Sequence, residues 1–411
     1  MARTAMTMGG GGKLAEHLSV GVLAAAYPYE QIVAAVAATD RGSERVRDLP
    51  AEAVTYYVMA LGLLMAVSTR EVLRVLMEGL RWLQGNAATK VASKAAIAQA
   101  RQRLGAEPLR HLWVKNARPM AQVATSPGAF YRDLRLVALD GSTLDVPDTA
   151  ANRAHFGKPG ASRGEAAFPQ LRLVGMIETG THGFFSVAMG PYADSEHALA
   201  KQVLPALQPG MLCLADRLFA GFPLWQQAVE TGAVLLWRIR SNLMLPVEET
   251  LADGSYLSTF FASAKDRRHR RGGLRVRVIE YQLEGQPETY RLMTTLLDPA
   301  QAPATELAAL YPERWELEGA FDELKTHLRG GQVVLRSKTP ELIEQEFYGL
   351  LLAHRAVRAL MLQAARKAAL DPDRLSFTHA VRVVRRKLAD RPAFSPCAGR
   401  GLAGGHRGRN P

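Results

Sequence analysis

From Leu18 to about Met120 the apolar residues recur three and four positions apart, as at Leu73, Leu76, Leu80 and Leu83, the spacing that lines one face of a helix. The pattern predicts an all-helical N-terminal domain. Within it, the apolar run Ala53 to Ser68 is shorter than the roughly 18 to 20 residues that span a bilayer, so it reads as a buried helix. Ser93 to Leu104 begins with an N-cap serine and carries Arg101 and Arg103 among good helix formers, which suits either a surface helix or one that enters a DNA groove.

After Pro127 the period shortens. Leu134 to Leu139 is apolar except for Arg135 and ends in Asp140-Gly141, with Thr143 to Val146 as a short extension. Leu171 to Ile177 and Phe184 to Met189 are also of strand length, Ser195 to Leu207 has helical spacing, Met211 to Ala215 is a buried strand, Phe222 to Val229 a helix and Ala233 to Ile239 a strand. The order β, β, β, α, β, α, β predicts an α/β fold, a mixed sheet with helices packed on it.

Asn242 to Thr295 alternates apolar Leu274, Val276 and Val278 with Arg275, Arg277 and Glu280, which predicts an inserted β-rich subdomain. Its stretch Lys265 to Arg271, with Arg267, Arg268, Arg270 and Arg271, reads as a basic loop suited to phosphate. Helices return from Glu306 to about Lys387, and the Gly, Arg and Pro content beyond Arg391 predicts a disordered tail. The expected domains are therefore 1–125, helical; 126–241 with 296–365, the α/β core; 242–295, the β insert; and 366–411, a basic C-terminal region.

Charge changes the picture. The 411 residues hold 51 Lys or Arg against 39 Asp or Glu, a formal net charge of +12, which favours a polyanionic partner, nucleic acid or an anionic membrane surface. Cys213 and Cys397 stand far apart with no metal or disulfide spacing, and the opening residues lack the apolar stretch of a secretory signal, so a cytoplasmic protein is expected. Gly9 to Lys13 lacks the P-loop Ser/Thr and any preceding strand. His182, His197, His269, His327 and His354 are scattered without ligand spacing and read as ordinary surface or core residues.

The chemistry lies in the acids. Asp140 and Asp216 each follow a buried strand, where a carboxylate emerges with little freedom, and two such strands side by side would hold two carboxylates at metal-binding distance. A lone strand-end Asp is more often a turn or cap residue. The segment from Tyr311 to Lys325 is more specific. At about 100° per residue, Tyr311, Arg314, Glu318 and Lys325 fall within roughly 60° of one another on a helix opened by Pro312. Leu317, Phe321, Leu324 and Leu328 form the adjacent apolar stripe.

These residues carry a resemblance. Tyr311-x2-Arg314-x3-Glu318-x6-Lys325, with Asp140-Gly-Ser-Thr, Leu214-Ala-Asp216-Arg217 and Leu335-Arg336-Ser337, resembles the DDE transposases of the insertion-sequence-four family, and the likeness extends to the N-terminal helices. It implies an RNase H-like core with the β insert between the second Asp and the Glu. It also implies a triad of Asp140, Asp216 and Glu318 holding two Mg²⁺ ions, with Mn²⁺ as a possible substitute, and phosphate binding by Tyr311, Arg314 and Lys325. The expected reaction is two-metal in-line phosphoryl transfer that cuts transposon ends, passes through a hairpin and joins 3′-OH ends to target DNA.

The expected partners are double-stranded DNA, as inverted-repeat ends and target, and a second copy of the chain in the synaptic complex; the expected setting is the nucleoid. Arg101, Arg103, Arg217, Arg267, Arg268, Arg270, Arg271 and Arg336 are candidate DNA contacts. Trp237, Tyr281 and Tyr290 are candidates to stack on a flipped base, with core packing as the competing role. Two other readings fit the same acidic site: an RNase H-like structure-specific nuclease, and an inactive transposase-derived DNA-binding protein.

Overall fold

The computed structural model describes residues 21–43, 49–84, 92–161, 164–282, 288–329 and 334–389. The Gly9 to Lys13 start and the tail beyond Arg391 lie outside these. The chain divides into two compact units, one built from residues 1–116, 323–364 and 375–411, the other from 117–322 and 365–374. These boundaries depart from those read in the sequence, because the long helix after the β insert packs with the N-terminal helices.

The first unit is helical: Gly21–Ala26, Tyr29–Ala38, Ala51–Leu63, Thr69–Gln84, Lys94–Leu104 and Glu107–Asn116 are joined by the helix Pro340–Ala368, through its residues up to Ala364, and by Phe377–Ala389. Every residue of Ala51–Leu63 except Glu52 is buried, as the apolar run predicted, though the helix stops at Leu63. It crosses the long helix closely: a Cβ at Gly62 would lie 3.2 Å from Leu350 Cα, and one at Gly349 2.9 Å from the Val58 carbonyl oxygen. Tyr27 reinforces the junction by donating its hydroxyl to the Leu352 carbonyl at 2.9 Å. Within the same unit Glu323 is held by Arg358 and by His354 Nε2, the latter at 3.0 Å.

The second unit is built on one sheet. Its strands Leu134–Asp145, Gln170–Glu178, Gly183–Pro191, Met211–Ala215 and Val234–Arg238 lie in the spatial order third, second, first, fourth, fifth. The first pairs antiparallel with the second and parallel with the fourth, and the fourth pairs parallel with the fifth. This is the RNase H-like arrangement, with the helices Glu196–Val203 and Phe222–Glu230 packing on the sheet as the alternation of elements predicted.

Three readings change. Asp140-Gly141 does not end the first strand, which continues to Asp145 because Gly141 through Asp145 pair with Val174 through Gln170. The insert is β-rich, as the alternation predicted: Glu249–Thr250, Tyr256–Phe260, Leu274–Gln282 and Thr289–Thr294 form a meander whose last strand pairs with Val234–Arg238, so it prolongs the same sheet. Arg277, on the polar side of the alternation, is fully buried, paired with Asp253 and donating to the Ala302 carbonyl at 2.6 Å. Lys265 to Arg271 is largely a short helix, Ala264–His269, because Ser263 caps it by accepting from the Asp266 N–H.

Candidate active site

The sheet register brings two candidate carboxylates together. Leu139 faces Ala215 across the parallel pair, so Asp140 and Asp216 are the next residues on neighbouring strands. Asp140 stays in the sheet opposite Gly175 and accepts the Gly141 N–H at 2.8 Å. Asp216 leaves the sheet and accepts the Arg217 N–H at 2.5 Å, while its carbonyl accepts from Phe219 at 3.0 Å. His197 pins this turn through Nε2 to the Leu218 carbonyl at 2.6 Å.

Glu318 arrives from a helix that rests on the same strands. A Cβ at Gly175 would stand 3.0 Å from the Phe184 ring and 3.6 Å from that of Phe321, so the glycine makes the seat on which Phe321, one turn past Glu318, packs. The two rings lie 5.5 Å apart. The helical run is not uniform: Tyr311–Trp315 is a 3₁₀ turn, Glu316–Asp322 is α-helical and Glu323–His327 is a π-helical turn. The constant 100° wheel used on the sequence therefore holds only for its middle. Lys325 sits half-buried in the π turn, which belongs to the first unit.

Arg314 ties the site together. Its guanidinium is 2.9 Å from Asp140 Oδ2 and 3.6 Å from Glu318 Oε1, and its side chain is 5% exposed. Its Nε has no hydrogen-bond partner among the described residues. Tyr311 is buried and donates its hydroxyl to the Ala215 carbonyl at 3.3 Å, just before Asp216. Burial raises the Asp140 carboxyl to about 6, with Asp216 and Glu318 adding to the rise and the Gly141 N–H and Arg314 opposing it. Asp216 and Glu318 act on Asp140 through their negative charge, and carboxylates, with only oxygen to offer, suit a hard divalent cation such as Mg²⁺.

The remaining candidates separate by burial. Arg103, Arg217, Arg268, Arg270 and Arg271 are exposed and Arg267 is half-buried. Arg101 and Arg336 are not surface groups available to DNA. Arg101 is 6% exposed and donates to Gln345 Oε1 at 2.7 Å, Ser337 Oγ at 2.9 Å and the Leu342 carbonyl at 3.2 Å. Arg336 is half-buried and donates to the Leu64 and Val67 carbonyls at 2.6 and 2.8 Å, capping the end of Ala51–Leu63. The sequence offers both as candidate DNA contacts because it shows neither which face of the Arg101 helix is covered nor where the loop carrying Arg336 packs.

Among the aromatic candidates Trp237 is core, fully buried and edge-on to Trp225 at 5.2 Å. Tyr281 and Tyr290 are half-buried and stack at 5.5 Å, with Arg238 over Tyr290 at 4.3 Å. The residue that sequence reasoning missed is Trp315, 55% exposed, with the Arg314 guanidinium 4.4 Å from its ring centroid. Its signal in the sequence is a tryptophan directly after Arg314 of the signature.

Residues 17–114 match the family described as insertion element 4 transposase N-terminal, and residues 131–355 match the transposase DDE domain. The chain is 30% identical over 357 residues to the transposase InsG for insertion sequence element IS4 of Escherichia coli K12, covering 86% of this chain and 79% of that protein. It is 28% identical over 204 residues to the putative transposase InsZ of the same organism, covering 47% of this chain and 64% of the relative. Among solved structures, a cryo-EM structure of the piggyBac transposase synaptic complex with hairpin DNA is similar at a TM-score of 0.48 and 10% identity, covering 91% of this chain and 80% of that one.

Proposed function

The chain belongs to the insertion-element-4 family of DDE transposases, and from that premise we propose that it cuts DNA at the ends of its element and joins the freed 3′-OH ends to target DNA. The observation that carries this reading is the convergence of Asp140, Asp216 and Glu318: the sheet register aligns the first two, and one arginine touches the first and the third.

Asp140, Asp216 and Glu318 would hold two divalent ions, Mg²⁺ by preference with Mn²⁺ as a substitute. When bound, such ions supply activation of an attacking oxygen and neutralisation of the leaving 3′ oxygen in an in-line displacement at phosphorus. The protein's part is rigidity. Asp140 is fixed in mid-strand, Asp216 by its turn and by the hydroxyl of Tyr311 on the preceding carbonyl, and Glu318 by the seating of Phe321. Arg314 compensates Asp140 and Glu318, and with an end bound its remaining donors and Lys325 would serve the phosphate beside the cut, Arg314 as a planar fork and Lys325 as a point charge.

The proposed order is a nick at the transposon end, attack of that 3′-OH on the opposite strand to leave a hairpin, hydrolytic opening of the hairpin, and attack of the 3′-OH on target DNA. Each step breaks one phosphoester P–O bond and forms one, with a proton leaving the attacking oxygen and one reaching the leaving oxygen. Two copies of the chain acting on two ends on nucleoid DNA complete the reading.

The test is an assay of the purified chain on a labelled duplex bearing its element's end, with Mg²⁺ or EDTA, beside Asp140→Ala, Asp216→Ala and Glu318→Ala. Metal-dependent nicking progressing to a hairpin, abolished by each substitution while end binding persists, is expected. Cleavage unaltered by any one of the three removes that residue from the site. Specific binding without cleavage under any metal would favour the inactive derivative, and cutting without joining the plain nuclease.

A further inference from the structure

A second group of metal-ligating side chains lies in the RNase H-like unit. His182, Glu316 and Asp373 each offer one ligand atom, and these atoms all lie within 4.8 Å of one another. They come from three segments far apart in sequence: the tight turn between the second and third strands, the α-helical turn that carries Glu318, and the turn Pro372–Arg374. We propose that they form a second divalent-metal site, separate from the carboxylate triad, that takes Zn²⁺ and fixes the Glu318 helix to the sheet.

The donor set suits that ion. One imidazole nitrogen and two carboxylate oxygens match the mixed nitrogen and oxygen ligands zinc accepts, and three protein ligands leave a fourth position for water. Tetrahedral zinc bonds of about 2.0–2.1 Å place ligand atoms about 3.3 Å apart, so the three atoms need to close by roughly 1.5 Å at most. Asp373 is exposed on a short turn and can supply that movement by a change of rotamer.

The imidazole is held in place. The His182 N–H donates to the Thr179 carbonyl at 3.0 Å, its backbone takes a φ of 51°, and its ring lies on the helix at Gly319, where a Cβ would stand 3.2 Å from Cε1. Nε2 meets the Glu316 carboxylate. A simple His182–Glu316 pair accounts for two of the three groups. Asp373 brings a third ligand atom, a carboxylate oxygen, to the same point. A divalent ion would draw one imidazole nitrogen and two carboxylate oxygens to itself together. Because Glu316 precedes Glu318 by two residues, an ion here would hold the helix that presents Glu318.

The test uses the full chain with Asp140→Asn and Glu318→Gln, which silences the triad as a competing site. After dialysis against Zn²⁺ and then against buffer, this chain is expected to retain one equivalent of zinc, to melt at a higher temperature with zinc than without, and to give the visible bands of four-coordinate Co²⁺ on substitution. Adding Asp373→Asn should abolish retention, the rise in melting temperature and the bands; the residue is exposed, so the fold should persist, and far-UV circular dichroism checks that it does. Adding His182→Gln should do the same. No zinc retained by the silenced chain, or retention unchanged by Asp373→Asn in a folded chain, overturns the proposal.

Discussion

Replacing Arg101 by Ala separates two roles that the sequence left equal, a groove contact and an internal tie. The structure gives its guanidinium three acceptors, Gln345 Oε1, Ser337 Oγ and the Leu342 carbonyl, with no share of solvent worth the name. Gln345 in turn donates to the Arg101 and Gly105 carbonyls at 2.9 and 2.6 Å, and Glu346 accepts from the Arg336 and Ser337 N–H groups nearby. Burial lowers the Arg101 pKa while Glu346 and Tyr57 oppose the fall, so the cation compensates a carboxylate that is itself 2% exposed. Truncation leaves that carboxylate with less compensation and takes the charged donor from all three acceptors, which places the loss at about 3–5 kcal/mol, since a hydrogen bond to a charged group contributes about 1.5–3 kcal/mol.

With a urea m-value of about 3 kcal/mol/M the midpoint falls by roughly 1–1.7 M. Urea unfolding followed by far-UV circular dichroism reads this directly. Arg101→Lys, which keeps charge but not the planar fork, should fall between the two. DNA affinity measured across a salt series on the folded variant should keep its slope. A stability change under about 0.5 kcal/mol together with a salt slope lower by about 1 would refute the internal role and restore the groove contact.

Three further outcomes follow from the same geometry. Gly349→Ala sets a methyl within 2.9 Å of the Val58 carbonyl oxygen and should cost about 1–3 kcal/mol of stability, seen as a lower denaturation midpoint. Trp315→Ala, at a half-exposed position, should leave stability within about 0.5 kcal/mol, yet weaken the end complex by about 5- to 100-fold if the ring stacks on DNA, with Trp315→Phe recovering most of it in a gel-shift titration; equal affinity for Ala and wild type would rule the stacking out. Changing the exposed Arg268, Arg270 and Arg271 together to Gln should flatten the salt dependence of DNA binding by about 2–3 in the log–log slope, and an unchanged slope would place that short helix away from DNA.

Periodicity and local chemistry carried well where the determinants are local. The cap at Ser93 is realised, its side chain accepting the Ala96 N–H at 3.1 Å, because an N-cap needs only the residues that follow it. The strand and helix order of the core was legible for the same reason. The first strand was cut short at Asp140-Gly141 because its continuation depends on a partner strand thirty residues away, which satisfies its backbone regardless of local propensity. Arg277 looks solvent-facing by alternation, and its pairing with Asp253 together with the Ser255 and Ala302 acceptors makes burial tolerable. His182 has no ligand spacing in the chain, since its neighbours Glu316 and Asp373 reach it through the fold.

By itself the sequence determined which groups are present and which local shapes they favour: the acids that follow buried strand segments, the signature from Tyr311 to Lys325, the helical spacing from Leu18 to about Met120 and the excess of basic residues. These follow from side-chain chemistry and from hydrogen bonding over a few residues, which neighbours in the chain decide. Tertiary structure alone decided which arginines are surface and which are internal, where the β insert attaches, that Arg314 stands between Asp140 and Glu318, and that Trp315 rather than Trp237 is the exposed aromatic beside them. Those outcomes rest on burial and long-range pairing, whose energies depend on what lies across space from a residue.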